Sequence, residues 1–213
     1  MNGFLFDLDG TLVDTAVDML EALKILAFED DIEINPDYNK YKQLITYGSR
    51  AIVSSIYGEL EDQQFLVLQR RYLSIYEKIL TQGSCLFDGI EEVIKGLDGK
   101  NIPWGIVTNK PKYLAEPLVQ SLEQLKNCKI LIGGDTYKFS KPHPYGLKKA
   151  LQYLSLKAGN SWYIGDAQSD IDAGIAAGMK TAVAMWGYLA KKDTPQSWQA
   201  DILLHDSSHI LRL

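Results

Sequence analysis

Asp7 and Asp9 close an apolar run, Gly3 to Leu8, and are followed by Gly10 and Thr11. In an extended strand residues two apart face the same way, so the spacing predicts that both carboxylates leave the strand's carboxyl end on one side. Gly10 lets the backbone turn sharply there and approach a ligand closely. Such a pair can supply a nucleophile, a metal ligand and a separate acid or base. Alone, an Asp-x-Asp-Gly run reads equally well as turn residues that hydrogen-bond their own backbone.

Three later groups fall at matching places. Thr108 and Asn109 follow the apolar run Trp104 to Val107, putting a hydroxyl and an amide where they could donate to a phosphate. Lys141, between Ser140 and Pro142, precedes the helical run Leu147 to Leu154 and is a point charge suited to a phosphoryl oxygen. Each, taken singly, reads as a strand-end cap or a solvated lysine. Asp166 ends the run Trp162 to Ile164, and Asp170 lies four residues on, so a turn brings both toward Asp7 and Asp9. Clustered hard oxygen ligands suit Mg2+, which takes a few carboxylates, several waters and a substrate phosphate. Asp172 is expected to point elsewhere, as a first-turn acid complementing the helix dipole.

Positioning these residues requires a parallel sheet, since open α/β sheets bind ligands at the carboxyl ends of their strands. Strands are predicted at Gly3 to Leu8, Trp104 to Thr108, Ile130 to Ile132, Trp162 to Ile164, Thr181 to Ala184 and Ile202 to Leu204. Between Leu8 and Trp104 no such strand is expected. Val17, Leu20, Leu23, Ile25 and Leu26, then Phe65, Leu68, Tyr72, Ile75 and Ile79, carry a helical period there. The expected organisation is a core of residues 1–14 and 84–213 with an all-helical insertion, 15–83, broken near Pro36, Gly48 and Gly58.

The chain has 213 residues, 46% hydrophobic and 23% charged, which fits a folded domain and argues against disorder. A net charge of -5 gives no electrostatic footprint for nucleic acid or an anionic membrane. Cys85 and Cys128 have no metal-binding spacing and read as reduced thiols. Phe4-Leu5-Phe6 lacks a basic flank and is cut by Asp7, so no signal peptide is expected. These features predict a cytoplasmic protein, a monomer or homodimer, with a small-molecule phosphate ester as its partner and neither nucleic acid nor membrane.

The four groups in this order, Asp7-Leu8-Asp9-Gly10-Thr11-Leu12-Val13-Asp14-Thr15, Thr108-Asn109, Lys141-Pro142 and Gly165-Asp166 to Met179, resemble the haloacid dehalogenase superfamily over nearly the whole chain. The resemblance implies a Rossmann-like α/β core and a small helical C1 cap inserted after the first strand. It implies that Asp7 attacks phosphorus and carries the phosphoryl group, while Asp9 protonates the leaving alcohol and then activates water. Mg2+ would be held by the Asp7 side chain, the Asp9 carbonyl and Asp166, with Asp170 direct or through water. Thr108, Asn109 and Lys141 would hold the phosphoryl oxygens. Asp9 argues for phosphate chemistry over dehalogenation, since the dehalogenase branch needs no general acid there.

Two subfamilies compete for the substrate. Gly133-Gly134-Asp135-Thr136 before Lys141-Pro142-His143-Pro144 resembles phosphoglycolate phosphatase. Pro103 to Pro111, Ala115 to Leu118 and Trp186-Gly187-Tyr188 are similar to N-acetylmuramic acid 6-phosphate phosphatases. Phosphosugar mutases share the core motifs, and a receiver-like or scaffold protein is the non-enzyme alternative. In the cap, Arg50 could pair with a substrate carboxylate, although a helix-surface arginine is the stronger reading.

Overall fold

A computed structural model describes residues 2–34 and 38–213. The break expected at Pro36 lies outside the described residues. The chain divides into two compact units, one of Met1–Asp14 with Leu86–Leu213 and one of Thr15–Cys85.

The first unit is a six-stranded parallel sheet in the order β5-β4-β1-β6-β7-β8, flanked by helices. In chain order, β1 (Phe4–Phe6) and β2 (Val13–Asp14) precede the inserted helices α1 (Ala16–Glu29), α2 (Tyr38–Ile45), α3 (Gly48–Tyr57) and α4 (Asp62–Ile79). After them come β3 (Cys85–Leu86), α5 (Ile90–Gly99), β4 (Trp104–Val107), α6 (Lys112–Ser121), β5 (Leu131–Ile132) and α7 (Tyr145–Tyr153). The chain then runs through β6 (Trp162–Gly165), α8 (Gln168–Ala177), β7 (Lys180–Ala184) and β8 (Ile202–Leu204).

All six predicted core strands are present, Ile202–Leu204 with the predicted bounds and the others shortened or lengthened by a residue or two at their ends. The short β2 and β3, outside the six-stranded sheet, correct the expectation that no strand lies between Leu8 and Trp104. Two residues are too few to carry an alternating pattern. Central strand β1 is apolar throughout because it is covered on both faces, and Leu5 and Phe6 are fully buried. Its register sets Phe6 opposite Ile106 on one side and Ile164 on the other. Within this unit the Phe87 amide donates to the Leu12 carbonyl at 3.1 Å, which brings the two segments flanking the insertion side by side.

The second unit is helical among its described residues. Leu20, Leu23 and Leu26 of α1 and Phe65, Tyr72 and Ile75 of α4 are buried, as a 3.6-residue period requires. Val17 departs from that expectation and is 46% exposed. It lies three residues before Leu20 but at the helix's first turn, where the neighbouring side chain Asp18 is the one turned inward. Asp18 is buried and accepts from the Thr81 amide (3.0 Å), the Gly83 amide (2.7 Å), the Ser84 amide (3.0 Å) and the Ser84 hydroxyl (2.5 Å). These bonds place Ser84 with the inserted unit rather than with the core. A second network joins Arg71 to Asp30 and Glu29, while the Tyr57 hydroxyl donates to Asp30 at 2.6 Å.

Among the described residues, no helix is long and apolar enough to cross a membrane.

Candidate active site

The site is built at the carboxyl tip of the central strand. Asp7 continues β1, its amide donating to the Ile164 carbonyl at 2.9 Å. The chain then turns: the Leu12 and Val13 amides both donate to the Leu8 carbonyl at 3.0 Å, and Gly10 takes a φ of 80°. That left-handed conformation favours glycine, and a Cβ at Gly10 would stand 2.2 Å from Asp166 Oδ2. Gly187, from the loop after β7, closes on the same place, where a Cβ would lie 2.5 Å from the Gly10 carbonyl oxygen. Asp166 is therefore enclosed by glycine backbone on two sides.

Asp7, Asp166 and Asp170 are all buried, and each offers an oxygen within 4.8 Å of the others. Lys141 Nζ lies 2.8 Å from Asp7 Oδ1 and 2.5 Å from Asp170 Oδ1. The second contact is a hydrogen bond. The first is an ion pair whose angles do not make one, so Asp7 Oδ1 is a buried oxygen without a hydrogen-bond partner. The other carboxylates are better served. Asp166 accepts from the Thr11 hydroxyl at 3.1 Å and the Tyr188 amide at 2.8 Å. Asp170 accepts from the Ala167 amide at 3.0 Å, at the start of α8.

One buried ammonium thus contacts two of the three clustered buried carboxylates. Burial pushes the Asp7 carboxyl up to about 6; Lys141 opposes the rise, and Asp170 and Asp9 add to it. Burial likewise raises Asp166 well above the usual carboxylate range, with Asp7 and Asp170 adding to it. Burial works against the charge on Lys141 too, but Asp170 and Asp7 outweigh it and raise its pKa. The lysine therefore stays charged while carboxylate charge is left over. An orphaned carboxylate oxygen, hard donors converging within 4.8 Å and excess negative charge fit a divalent cation.

Asp9 turns to a different partner. Its two oxygens lie 3.1 and 3.3 Å from Nζ of Lys110, whose side chain is only 3% exposed. Thr108 is buried at the tip of β4, and its hydroxyl oxygen accepts the Lys110 amide at 3.2 Å, which leaves the hydroxyl proton for another acceptor. The Asn109 side chain is engaged by Lys141: its amide donates to the Lys141 carbonyl at 3.1 Å, and its oxygen accepts the Lys141 amide at 2.9 Å. Asn109 thereby ties the loop after β4 to the loop that carries the lysine.

Asp172 differs from expectation, whereas Arg50 sits as the helix-surface reading has it. Asp172 is exposed but stands beyond the first turn of α8, where Asp170 is the acid. The dipole contact assigned to it belongs to its neighbour. Arg50 pairs with Asp62 at 2.8 Å and stacks 4.0 Å above the Phe65 ring, so its guanidinium has partners within its own unit.

Sequence reasoning missed Lys110, Thr11, Trp186 and Tyr188 as parts of the site. The Trp186 ring nitrogen donates to the Thr11 carbonyl at 3.0 Å, and the Tyr188 hydroxyl donates to Asp14 at 2.7 Å. The signal for these two was the Trp-Gly-Tyr run itself, in which a glycine sits between two large aromatics just past a strand. Lys110 lay within the Pro103 to Pro111 run but gave no sign of its own role, because a lysine three residues beyond a strand tip looks like any solvated one.

The chain's residues 4–184 match the family model of haloacid dehalogenase-like hydrolases. It is 39% identical over 200 residues to a phosphoglycolate phosphatase of Xanthomonas campestris pv. campestris, covering 94% of this chain and 90% of that one. It is 34% identical over 205 residues to an N-acetylmuramic acid 6-phosphate phosphatase of Pseudomonas putida, covering 96% and 92%. The fold matches the crystal structure of a predicted phosphoglycolate phosphatase from Haemophilus somnus 129PT, with a TM-score of 0.86 at 23% identity over 100% of this chain and 97% of the other.

Proposed function

Since this chain belongs to the haloacid dehalogenase-like hydrolase family and is a phosphoric monoester hydrolase, we propose that it hydrolyses 2-phosphoglycolate through an aspartyl phosphate on Asp7, with Mg2+ as the cation. The observation that carries this reading is the Asp7 oxygen at the tip of the central strand, buried without a hydrogen bond and ion-paired to a charged lysine. Asp7 Oδ attacks phosphorus, the bond from phosphorus to the alcohol oxygen breaks, and Asp9 gives its proton to the departing alcohol. Water then attacks phosphorus, Asp9 takes a proton from it, and the Asp7 carboxylate is released with phosphate. Lys141, the Thr108 hydroxyl and the backbone amide of Asn109 hold the phosphoryl oxygens and meet the charge that spreads over them. Asn109 is assigned its backbone because its side chain is engaged by Lys141.

The residues that would hold Mg2+ are Asp7, Asp166 and the Asp9 carbonyl, with Asp170 reached through water, since its oxygens already take Lys141 and the Ala167 amide. The bound cation supplies charge neutralisation at the phosphoryl group and between the carboxylates. Division into a core of 1–14 with 84–213 and a cap of 15–83 remains our reading of the organisation, with 84 moved to the cap on the strength of the Asp18 bonds and 85 with it on the division into compact units. The expected cytoplasmic location remains part of this reading, with Cys85 and Cys128 read as reduced thiols.

N-acetylmuramic acid 6-phosphate is the second reading, favoured by the Pseudomonas relative and by the placement of Trp186 and Tyr188 against the first motif. Purified protein assayed with Mg2+ against both compounds and a wider panel of sugar and acid phosphates should rank 2-phosphoglycolate first by kcat/KM. A higher kcat/KM for the muramic acid ester reverses the assignment, and no turnover of any phosphate ester removes both.

A further inference from the structure

Residue 110 joins three parts of the site. Its amide donates to the Thr108 hydroxyl oxygen, its carbonyl accepts the Gly134 amide at 2.9 Å, and its ammonium contacts both oxygens of Asp9. The backbone bonds fix where the side chain starts, and its burial fixes where it ends. Asp9 needs such a partner. It follows the last residue of a strand by three positions, in a turn, and its side chain is 16% exposed, so the direction of its oxygens depends on the groups that contact them. A proton donor displaced by about 1 Å from the bridging oxygen can lose ~100-fold in rate.

We propose that Lys110 is a positioning residue for Asp9, aiming its carboxyl at the bridging oxygen of the phosphate ester from the loop that also presents Thr108. This rests on the reading of Asp9 as the proton donor. The ammonium itself touches neither phosphorus nor the alcohol. Because its backbone bonds survive side-chain replacement, Lys110→Met removes the aim and leaves the Thr108 contact in place. The consequence depends on the leaving group: an alkyl alcohol has to be protonated as it departs, whereas p-nitrophenolate does not.

The test measures kcat/KM, which extends only to alcohol release, for wild type, Lys110→Met and Asp9→Asn on 2-phosphoglycolate, ethyl phosphate and p-nitrophenyl phosphate. Lys110→Met should lose about 100-fold on both alkyl esters and at least about tenfold less on the aryl ester. An equal loss on all three makes Lys110 merely structural and overturns the proposal. A loss confined to 2-phosphoglycolate overturns it as well, by making Lys110 a receptor for the substrate's carboxylate. Asp9→Asn separates the two levels of argument. If it too loses aryl and alkyl esters equally, the proton-donor reading fails and takes this proposal with it. If it discriminates while Lys110→Met does not, only the proposal about Lys110 fails. Thermal melting checks that each variant folds, and Lys110→Gln, shorter but polar, is judged by the same ratio should the Met variant not fold.

Discussion

Asp7 and Asp18 are both acids buried in the interior, one at the strand tip and one at the base of the inserted helices, and they are treated in opposite ways. Asp18 accepts four hydrogen bonds, three of them from backbone amides that would otherwise lie unpaired. Asp7 has an oxygen with no hydrogen bond at all and shares its lysine with Asp170. A buried charge that is fully solvated by protein donors holds chain segments together. One left short of donors stores unfavourable energy that a cation or an electrophile can relieve. Burial alone therefore does not distinguish a structural acid from a chemical one; the count of donors does.

The contrast predicts variants of opposite sign. Asp7→Asn should reduce kcat by at least about 10^4-fold, as removal of a nucleophile does. In the same protein without divalent cation the melting temperature should not fall, because an unsatisfied carboxylate has gone. Turnover near wild type, or a clear loss of stability, breaks the comparison. Asp18→Ala should do the reverse and destabilise by about 3 kcal/mol, since amides of Thr81, Gly83 and Ser84 lose their acceptor. Chemical denaturation followed by circular dichroism reads this directly, and a change within experimental error would mean that water replaces the carboxylate.

Next in size is the cation itself. Mg2+ at ~100 times its Kd should stabilise the native protein by about 2.7 kcal/mol. Asp166→Ala should abolish most of that gain along with activity. Equal shifts in melting temperature for wild type and Asp166→Ala would refute the proposed metal site.

The proton dependence sharpens the comparison further. With its pKa raised from 3.8 to about 6, folded Asp7 keeps a proton that the unfolded chain has already lost. The folded state binds more protons across that window, so this group's contribution to stability declines as pH rises from about 4 to 6 and is flat above. Asp166, whose carboxyl burial also raises, contributes with the same sign, whereas Asp30 and Asp206, lowered by their hydrogen bonds, contribute only at lower pH. The readout is therefore the difference between Asp7→Asn and wild type, both free of divalent cation, which should widen with pH in favour of the variant. A difference independent of pH would contradict the burial argument. Smallest of all is Asp172→Ala, exposed beyond the first turn of α8, which should change stability by no more than about 0.5 kcal/mol and leave the Mg2+ response intact.

What could be read from the sequence follows from the same physics. Strands covered on both faces are runs of apolar residues, so all six could be found, and acids just past their ends had to meet at one sheet edge. That reasoning brought Asp7, Asp166 and Asp170 together. It failed where a contact depends on geometry finer than an element. Lys110 reaches Asp9 only because the turn after β4 directs it inward, and Asn109 reaches Lys141 rather than open space for a similar reason. Asp172 was misread because the start of α8 is set by backbone bonds around Ala167, and a shift of one turn changes which acid meets the helix end. The bonds that tie Ser84 to the insertion could not be read either, since nothing in Ser84 announces that Asp18, far back in the chain, holds it.

The bond from Phe87 to Leu12 bears on how such a chain can change over time. It clamps the two ends of the inserted segment next to each other inside the core, so the insertion is a loop whose closure is already enforced by the sheet unit. The entropy of closing a loop grows only with the logarithm of its length, about 0.6 kcal/mol for each doubling. Lengthening, shortening or exchanging the insertion therefore makes little demand on the folding of the strands that carry the carboxylates, and the two parts are free to diverge at different rates.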